Sequence, residues 1–214
     1  MNYQTIIFDL DGTLLNTIDD LANSVNYVMK SNGWPEHSVS KIQSYVGNGI
    51  YKLMERSVPV NESTEKIEKA YEQFREYYKV NSSIKTRPYE GIMELLNELK
   101  MRGYHLAIVS NKADFAVKEL ADYYFKDLFD IAIGERKDVP RKPAPDMVKR
   151  VIKQLEVNQE SVLYVGDSEV DYDTAINAEL DCVLVSWGFR SKKELEKLNC
   201  KRLIDQPSEL LHFL

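Results

Sequence analysis

Apolar positions fall into two kinds of pattern along the chain. Five short runs are continuously apolar rather than alternating. They are Thr5-Ile6-Ile7-Phe8-Asp9, His105-Leu106-Ala107-Ile108-Val109-Ser110, Phe129-Asp130-Ile131-Ala132-Ile133, Ser161-Val162-Leu163-Tyr164-Val165 and Cys182-Val183-Leu184-Val185. Strands read this way when helices cover both faces of their sheet. Helical spacing separates most of them. Ile92, Leu95, Leu96 and Leu99 recur within Pro88 to Arg102, which Gly103 ends, and Met147, Val148, Val151, Ile152 and Leu155 share one side of Asp146 to Leu155. The alternation predicts an α/β fold on a doubly wound, Rossmann-like parallel sheet.

The interval from Leu14 to about Lys85 breaks this rhythm and is helical by pattern. Ile18, Leu21, Ala22, Val25 and Val28 form a stripe, with Thr17 as N-cap and Gly33 as stop. A later helix from about Glu62 to Lys79 would turn Ile67, Ala70, Tyr71, Phe74, Tyr77 and Tyr78 inward. Some seventy residues exceed what a connection in a compact domain holds. An all-helical domain over 15–84 is therefore expected, inserted after the first strand of an α/β domain formed by 1–14 and 85–214. Two linkers near one strand end suit a hinge.

Composition narrows the class. The chain has 214 residues, 28 basic and 34 acidic, a net charge of −6 and 43% hydrophobic residues. That is enough to bury a real core and excludes disorder. No window approaches about 20 uncharged apolar residues, so no membrane span is expected, and Met1-Asn2-Tyr3-Gln4 lacks the features of a secretory signal. Mild acidity gives no reason to expect nucleic acid or a membrane as partner. Cys182 and Cys200 make no disulfide framework, and His37, His105 and His212 are scattered without zinc or Ser-His-Asp spacing. A reduced cytoplasmic protein, monomer or homodimer, is expected.

Candidate chemistry lies where an open α/β sheet binds ligands, at the carboxyl ends of its strands. The first strand ends in Asp9-Leu10-Asp11-Gly12-Thr13, the second in Ser110-Asn111-Lys112 and the fourth in Gly166-Asp167-Ser168-Glu169-Val170-Asp171. Lys142-Pro143-Ala144-Pro145 precedes a helix between the third and fourth. Four carboxylates gathered at one rim would repel unless a cation joined them. An all-oxygen donor set without imidazole or thiolate favours Mg2+. Carboxylates, a hydroxyl, an ammonium and a magnesium ion suit phosphoryl transfer, and Gly12 permits a tight loop whose N–H groups face a phosphate.

These four motifs, in this order, resemble the haloacid dehalogenase superfamily, specifically its phosphatase branch with a small helical cap after the first motif. The resemblance spans nearly the whole chain. It implies that Asp9 is the nucleophile and that Asp11 protonates the leaving alkoxide and then activates water. Ser110 and the Asn111 amide would hold phosphate oxygens, and Lys142 would neutralise the nucleophile. Mg2+ would be held by the side chains of Asp9 and Asp167 and the backbone carbonyl of Asp11, with Asp171 in the same metal site, directly or by orienting water or Lys142. The carboxylate at Asp11 disfavours dehalogenation. Tyr45-Val46-Gly47-Asn48-Gly49-Ile50 resembles the cap loop of phosphoglycolate phosphatases, so Gly47 and Asn48 are candidate substrate-binding residues, and Lys52 and Arg56 are placed to meet a carboxylate. Asn16 departs from the aspartate common there. The expected substrate is a small phosphate ester, phosphoglycolate foremost. Alternatives are a pyrophosphatase, a sugar-phosphate phosphatase, a phosphomutase, or a non-catalytic anion-binding module. The plainer alternatives are a strand-end turn at Asp9 and Asp11, a helix cap at Asp171 and a helix–helix turn at Gly47 and Gly49.

Overall fold

Thr5 to Phe8 carry no exposed side chain, and they form the central strand β1 of the sheet in a computed structural model that describes residues 3–214. The reading at Met1 and Asn2 lies outside the described residues. β1 pairs in parallel with β4 (His105–Ala113) on one side and β6 (Val162–Gly166) on the other. β5 (Ile131–Glu135) lies beyond β4, and β7 (Asp181–Val185) and β8 (Leu203–Ile204) lie beyond β6. The order β5-β4-β1-β6-β7-β8 is parallel throughout its pairings.

Alternate side chains of β1 enter opposite cores, which is the physical content of double winding. Ile6 and Phe8 pack with Leu95, Leu96 and Leu99 of α5 (Ile92–Met101) and Val117, Leu120 and Phe125 of α6 (Asp114–Phe125). Ile7 packs with Met147, Val148 and Val151 of α7 (Asp146–Leu155) and Ala175 of α8 (Glu169–Asn177). A short α9 (Lys192–Leu195) follows β7.

Several edges differ from the sequence reading. β4 runs three residues longer, so Ser110, Asn111 and Lys112 lie inside its irregular end, where the register against β5 shifts after Val109. The third run begins at Ile131 because the Asp130 carboxylate turns back to accept from Leu106 N–H at 2.9 Å and Lys100 Nζ at 3.0 Å. Pro88 stands in a strand, β3 (Arg87–Pro88), and α5 starts only after Gly91, at φ +81°. β8 is too short to show a period.

The chain divides into two compact units, Asn16–Arg87 and the remainder. The crossings fall in β2 (Leu15–Asn16) and β3, which form a separate two-stranded sheet. The first unit holds α1 (Ile18–Ser31), α2 (Val39–Tyr45), α3 (Gly49–Ser57) and α4 (Thr64–Asn81). Leu21, Val25, Val28, Ile42, Met54, Ala70, Phe74 and Tyr78 are buried, while Ile67, Tyr71 and Tyr77 are only partly so. Tyr77 stacks on Tyr27 with ring centroids 3.9 Å apart. Ser38 and Ser63 cap α2 and α4 through their hydroxyls. Thr17 occupies the N-cap of α1 without capping it, because its backbone (φ −103°, ψ 1°) is not the extended form that aims the hydroxyl at the first free amides. Among the described residues no helix is long and apolar enough to cross a membrane, and both cysteines are free thiols.

Candidate active site

β1 ends one residue before Asp9, whose N–H donates to Val165 O at 2.9 Å and so ties the start of the loop to β6. The loop then closes on itself, Leu14 N–H donating to Leu10 O at 3.0 Å and Gly12 N–H to Leu15 O at 2.9 Å. Gly12 is at φ +90°, and a side chain there would overlap the Asp167 carboxylate. Gly188 presses on the same carboxylate from the loop after β7: a β-carbon there would meet Asp167 and the Gly12 carbonyl. Phe189 N–H donates to Asp167 Oδ2 at 2.6 Å. Two loops are thus packed against the carboxylate of a third. The sequence reading passed over Gly188 and Phe189. Their signal was available, since Trp187-Gly188-Phe189 follows the carboxyl end of the fifth run.

Lys142 is 3% exposed, and its Nζ lies 2.7 Å from Asp171 Oδ1, 2.9 Å from Asp9 Oδ1 and 3.1 Å from Tyr164 Oη. Asn111 fixes the lysine through its backbone: Lys142 N–H donates to Asn111 Oδ1 at 2.8 Å and Asn111 Nδ2 donates to Lys142 O at 3.0 Å. The Asn111 side chain is therefore committed to the Lys142 loop. Ser110 is buried, and its hydroxyl accepts from Lys112 N–H at 3.3 Å.

Asp171 divides its two oxygens between a helix start and Lys142. Oδ2 accepts from the N–H groups of Asp167 and Ser168 at 3.2 Å each and from Ser168 Oγ at 2.6 Å, a capping box at the start of α8. Oδ1 takes Lys142 and the Tyr164 hydroxyl, the latter at 3.1 Å. Asp11 turns its carboxylate to Lys112, whose Nζ donates at 2.8 and 3.1 Å.

Carboxylate oxygens of Asp9, Asp167 and Asp171 lie within 4.8 Å of one another. Burial, reinforced by the charges of Asp171 and Asp11 against the opposing pull of Lys142, pushes Asp9 up to about 7. Burial, then the charges of Asp171 and Asp9, raises Asp167 well above the carboxylate range. Burial works against the Lys142 ammonium, but Asp171 and Asp9 outweigh it and hold its pKa well above the ordinary lysine value. Asp9 Oδ1 is buried, with an ion contact to Lys142 but no well-directed hydrogen bond. An all-oxygen donor set with surplus negative charge and an under-bonded carboxylate oxygen fits a hard divalent cation.

Gly47 and Asn48 belong to the helical unit, at the turn between α2 and α3, with Gly47 at φ +124°. Asn48 Oδ1 accepts from Arg56 Nη2 at 2.8 Å, and Arg56 Nη1 donates to Tyr45 O at 2.7 Å. Lys52 pairs with Glu55. The two basic side chains expected to meet a carboxylate are thus engaged locally, Arg56 as a clasp on the turn.

Residues 6–185 match the family model described as haloacid dehalogenase-like hydrolase. A phosphoglycolate phosphatase of Nitrosospira multiformis is 32% identical over 206 residues, covering 94% of this chain and 91% of that one. One of Psychrobacter arcticus is 31% identical, covering 100% and 96%. Among solved structures, a Lactobacillus delbrueckii subsp. bulgaricus protein described provisionally as a phosphoglycolate phosphatase superposes with a TM-score of 0.93 at 34% identity, over 98% of this chain and 97% of that one. A Haemophilus somnus protein described as a predicted phosphoglycolate phosphatase gives 0.92 at 28% identity, over 100% and 98%.

Proposed function

Since the chain belongs to the haloacid dehalogenase-like hydrolase family and is a phosphatase acting on small phosphate esters, we propose that it works through an aspartyl-phosphate on Asp9 with Mg2+, and that 2-phosphoglycolate is its substrate. The observation that carries this reading is the buried Lys142 ammonium spanning Asp9 and Asp171, beside a third buried carboxylate, Asp167, that is paired with no ammonium among the described residues.

The Asp9 and Asp167 side chains, with the Asp11 carbonyl, would hold the Mg2+, which offsets charge between an anionic nucleophile and a phosphate dianion. Lys142 fixes the Asp9 carboxylate for attack on phosphorus and neutralises part of the charge that builds on the transferring group. Asn111 and Asp171 hold that lysine from its backbone and its ammonium end. Ser110 supplies a hydroxyl to a phosphate oxygen. Asp11 gives a proton to the departing alkoxide, then takes one from the water that opens the acyl phosphate. The helical insertion serves as the cap, with Gly47 and Asn48 on its substrate loop.

The test joins nucleophile and substrate. Wild type should hydrolyse p-nitrophenyl phosphate only with Mg2+, and Asp9→Asn should lose nearly all turnover while keeping its circular dichroism spectrum. Comparable rates in the two proteins would remove Asp9 as nucleophile. A panel of phosphoglycolate, pyrophosphate and hexose phosphates should favour phosphoglycolate in kcat/KM by more than about a hundredfold, beyond what loose pocket packing gives. A flat panel would remove the substrate assignment.

A further inference from the structure

Lys112 is a buried charge to which the mechanism gives no task. Its side chain is 2% exposed and its ammonium donates to both oxygens of Asp11, at 2.8 and 3.1 Å. Lys142 already meets Asp9 and Asp171, so a second lysine is not needed at the nucleophile. A buried ammonium keeps its place only with an anion close by. Asp11 cannot both stay against Lys112 with its two oxygens and reach the bridging oxygen of a phosphate ester, because proton transfer requires hydrogen-bond distance. Turning toward the substrate weakens the ion pair, and an anion arriving in the same place restores it.

The chemistry of the substrate supplies that anion. In a 2-phospho-α-hydroxy acid the carboxylate carbon is two bonds from the bridging oxygen, so a group within reach of that oxygen is within one short side chain of the carboxylate. Lys112 is hydrogen-bonded to the residue that must make this reach. We propose that Lys112 determines specificity: as Asp11 turns to the leaving oxygen, the Lys112 ammonium exchanges the Asp11 carboxylate for the carboxylate of the leaving group. The exchange favours esters whose leaving group carries an anion one carbon from the oxygen. It rests on the phosphoglycolate reading above and adds to it the residue that recognises the acid.

The experiment is a cycle of two substrates and three proteins. 2-Phosphoglycolate is compared with 2-hydroxyethyl phosphate, which has a neutral hydroxymethyl in place of the carboxylate, in wild type, Lys112→Met and Lys112→Arg. The kcat/KM ratio of the two substrates should fall about ten- to a hundredfold in Lys112→Met, the worth of one charge-assisted hydrogen bond. Lys112→Arg should recover most of it. A residue that only steadies Asp11 would lower both rates alike and leave the ratio where it was, which would overturn the proposal. Lys112→Gln is measured in parallel, and the ratio is read from whichever uncharged variant keeps the wild-type melting transition. A wild-type enzyme that hydrolyses both esters equally would sink the substrate reading and the proposal with it. A wild-type preference untouched by either variant would sink the proposal alone.

Discussion

The helical unit and the α/β unit bury acidic side chains in opposite ways. Asp20 on α1 is 1% exposed, and its carboxylate accepts from Lys85 N–H at 2.9 Å, Thr86 N–H at 2.8 Å and Thr86 Oγ1 at 2.9 Å. Neutral donors from one returning segment satisfy it, and it fastens that segment to the helix. Asp9, Asp167 and Asp171 are buried too, but among the described residues a single ammonium, Lys142, is shared between two of them. Burial of a carboxylate is therefore no sign of function by itself. Charge left over after the local partners are counted is the sign, because the fold has to supply stability from elsewhere to hold it.

The comparison breaks most directly through pH. Asp9 keeps its proton in the folded, metal-free protein up to about 7, against 3.8 for an ordinary aspartate. Between those values the native state binds more protons than the unfolded one, so metal-free stability falls as pH rises through that window. Asp167, raised in the same direction, adds to the slope. Lys142, held above its ordinary value, stays charged throughout and adds none. The melting temperature in EDTA should drop from pH 5 to pH 7.5, corresponding to a few kcal/mol, and Mg2+ should restore most of it at the upper pH. A metal-free melting temperature that holds steady or rises would show that the excess charge is not there.

A smaller effect sharpens the same contrast within the α/β unit. Gly188→Ala puts a methyl where Asp167 and the Gly12 carbonyl now meet. Because Asp167 also accepts from Phe189 N–H, the methyl has to push the carboxylate off that bond. Half-maximal activation should need about 10- to 100-fold more Mg2+, the usual cost of disturbing the groups that orient a ligand. An unchanged activation constant would detach Gly188 from the metal site.

What the sequence made legible follows from where the chemistry sits. Asp9, Asp11, Ser110 and Asp167 stand at or just past a strand's carboxyl end, where the apolar runs place them, whereas Lys142, seven residues beyond β5, and Asp171, inside α8, were singled out by the motif resemblance. Tyr164 was hidden because a tyrosine inside an apolar run reads as core. It is core, fully buried, and it still brings its hydroxyl to Lys142 and Asp171. The pairing of Lys112 with Asp11 spans 101 residues, and the clasp of Asn111 on the Lys142 backbone spans 31. No spacing rule reports such bonds. The helical unit was legible as stripes, yet Arg56 shows the limit: a cation one turn from another, read in sequence as placed to meet a carboxylate, is spent on a turn in the structure.

The smallest effect belongs to Asp20, and it separates the two kinds of burial. Asp20→Ala removes the acceptor from Lys85 N–H, Thr86 N–H and the Thr86 hydroxyl together. Thr86 is buried, and buried donors deprived of an acceptor cost about 1–3 kcal/mol, so thermal or denaturant unfolding should register a loss of that order. Since Asp20 holds a segment and carries no unbalanced charge into the chemistry, kcat/KM for p-nitrophenyl phosphate at a temperature where the variant is folded should stay within a few-fold of wild type. The pH slope of the metal-free melting temperature should also persist, displaced downward in parallel. A flattened slope, or a rate loss of several orders of magnitude without unfolding, would mean that the compensated carboxylate belongs to the same electrostatic system as the uncompensated ones.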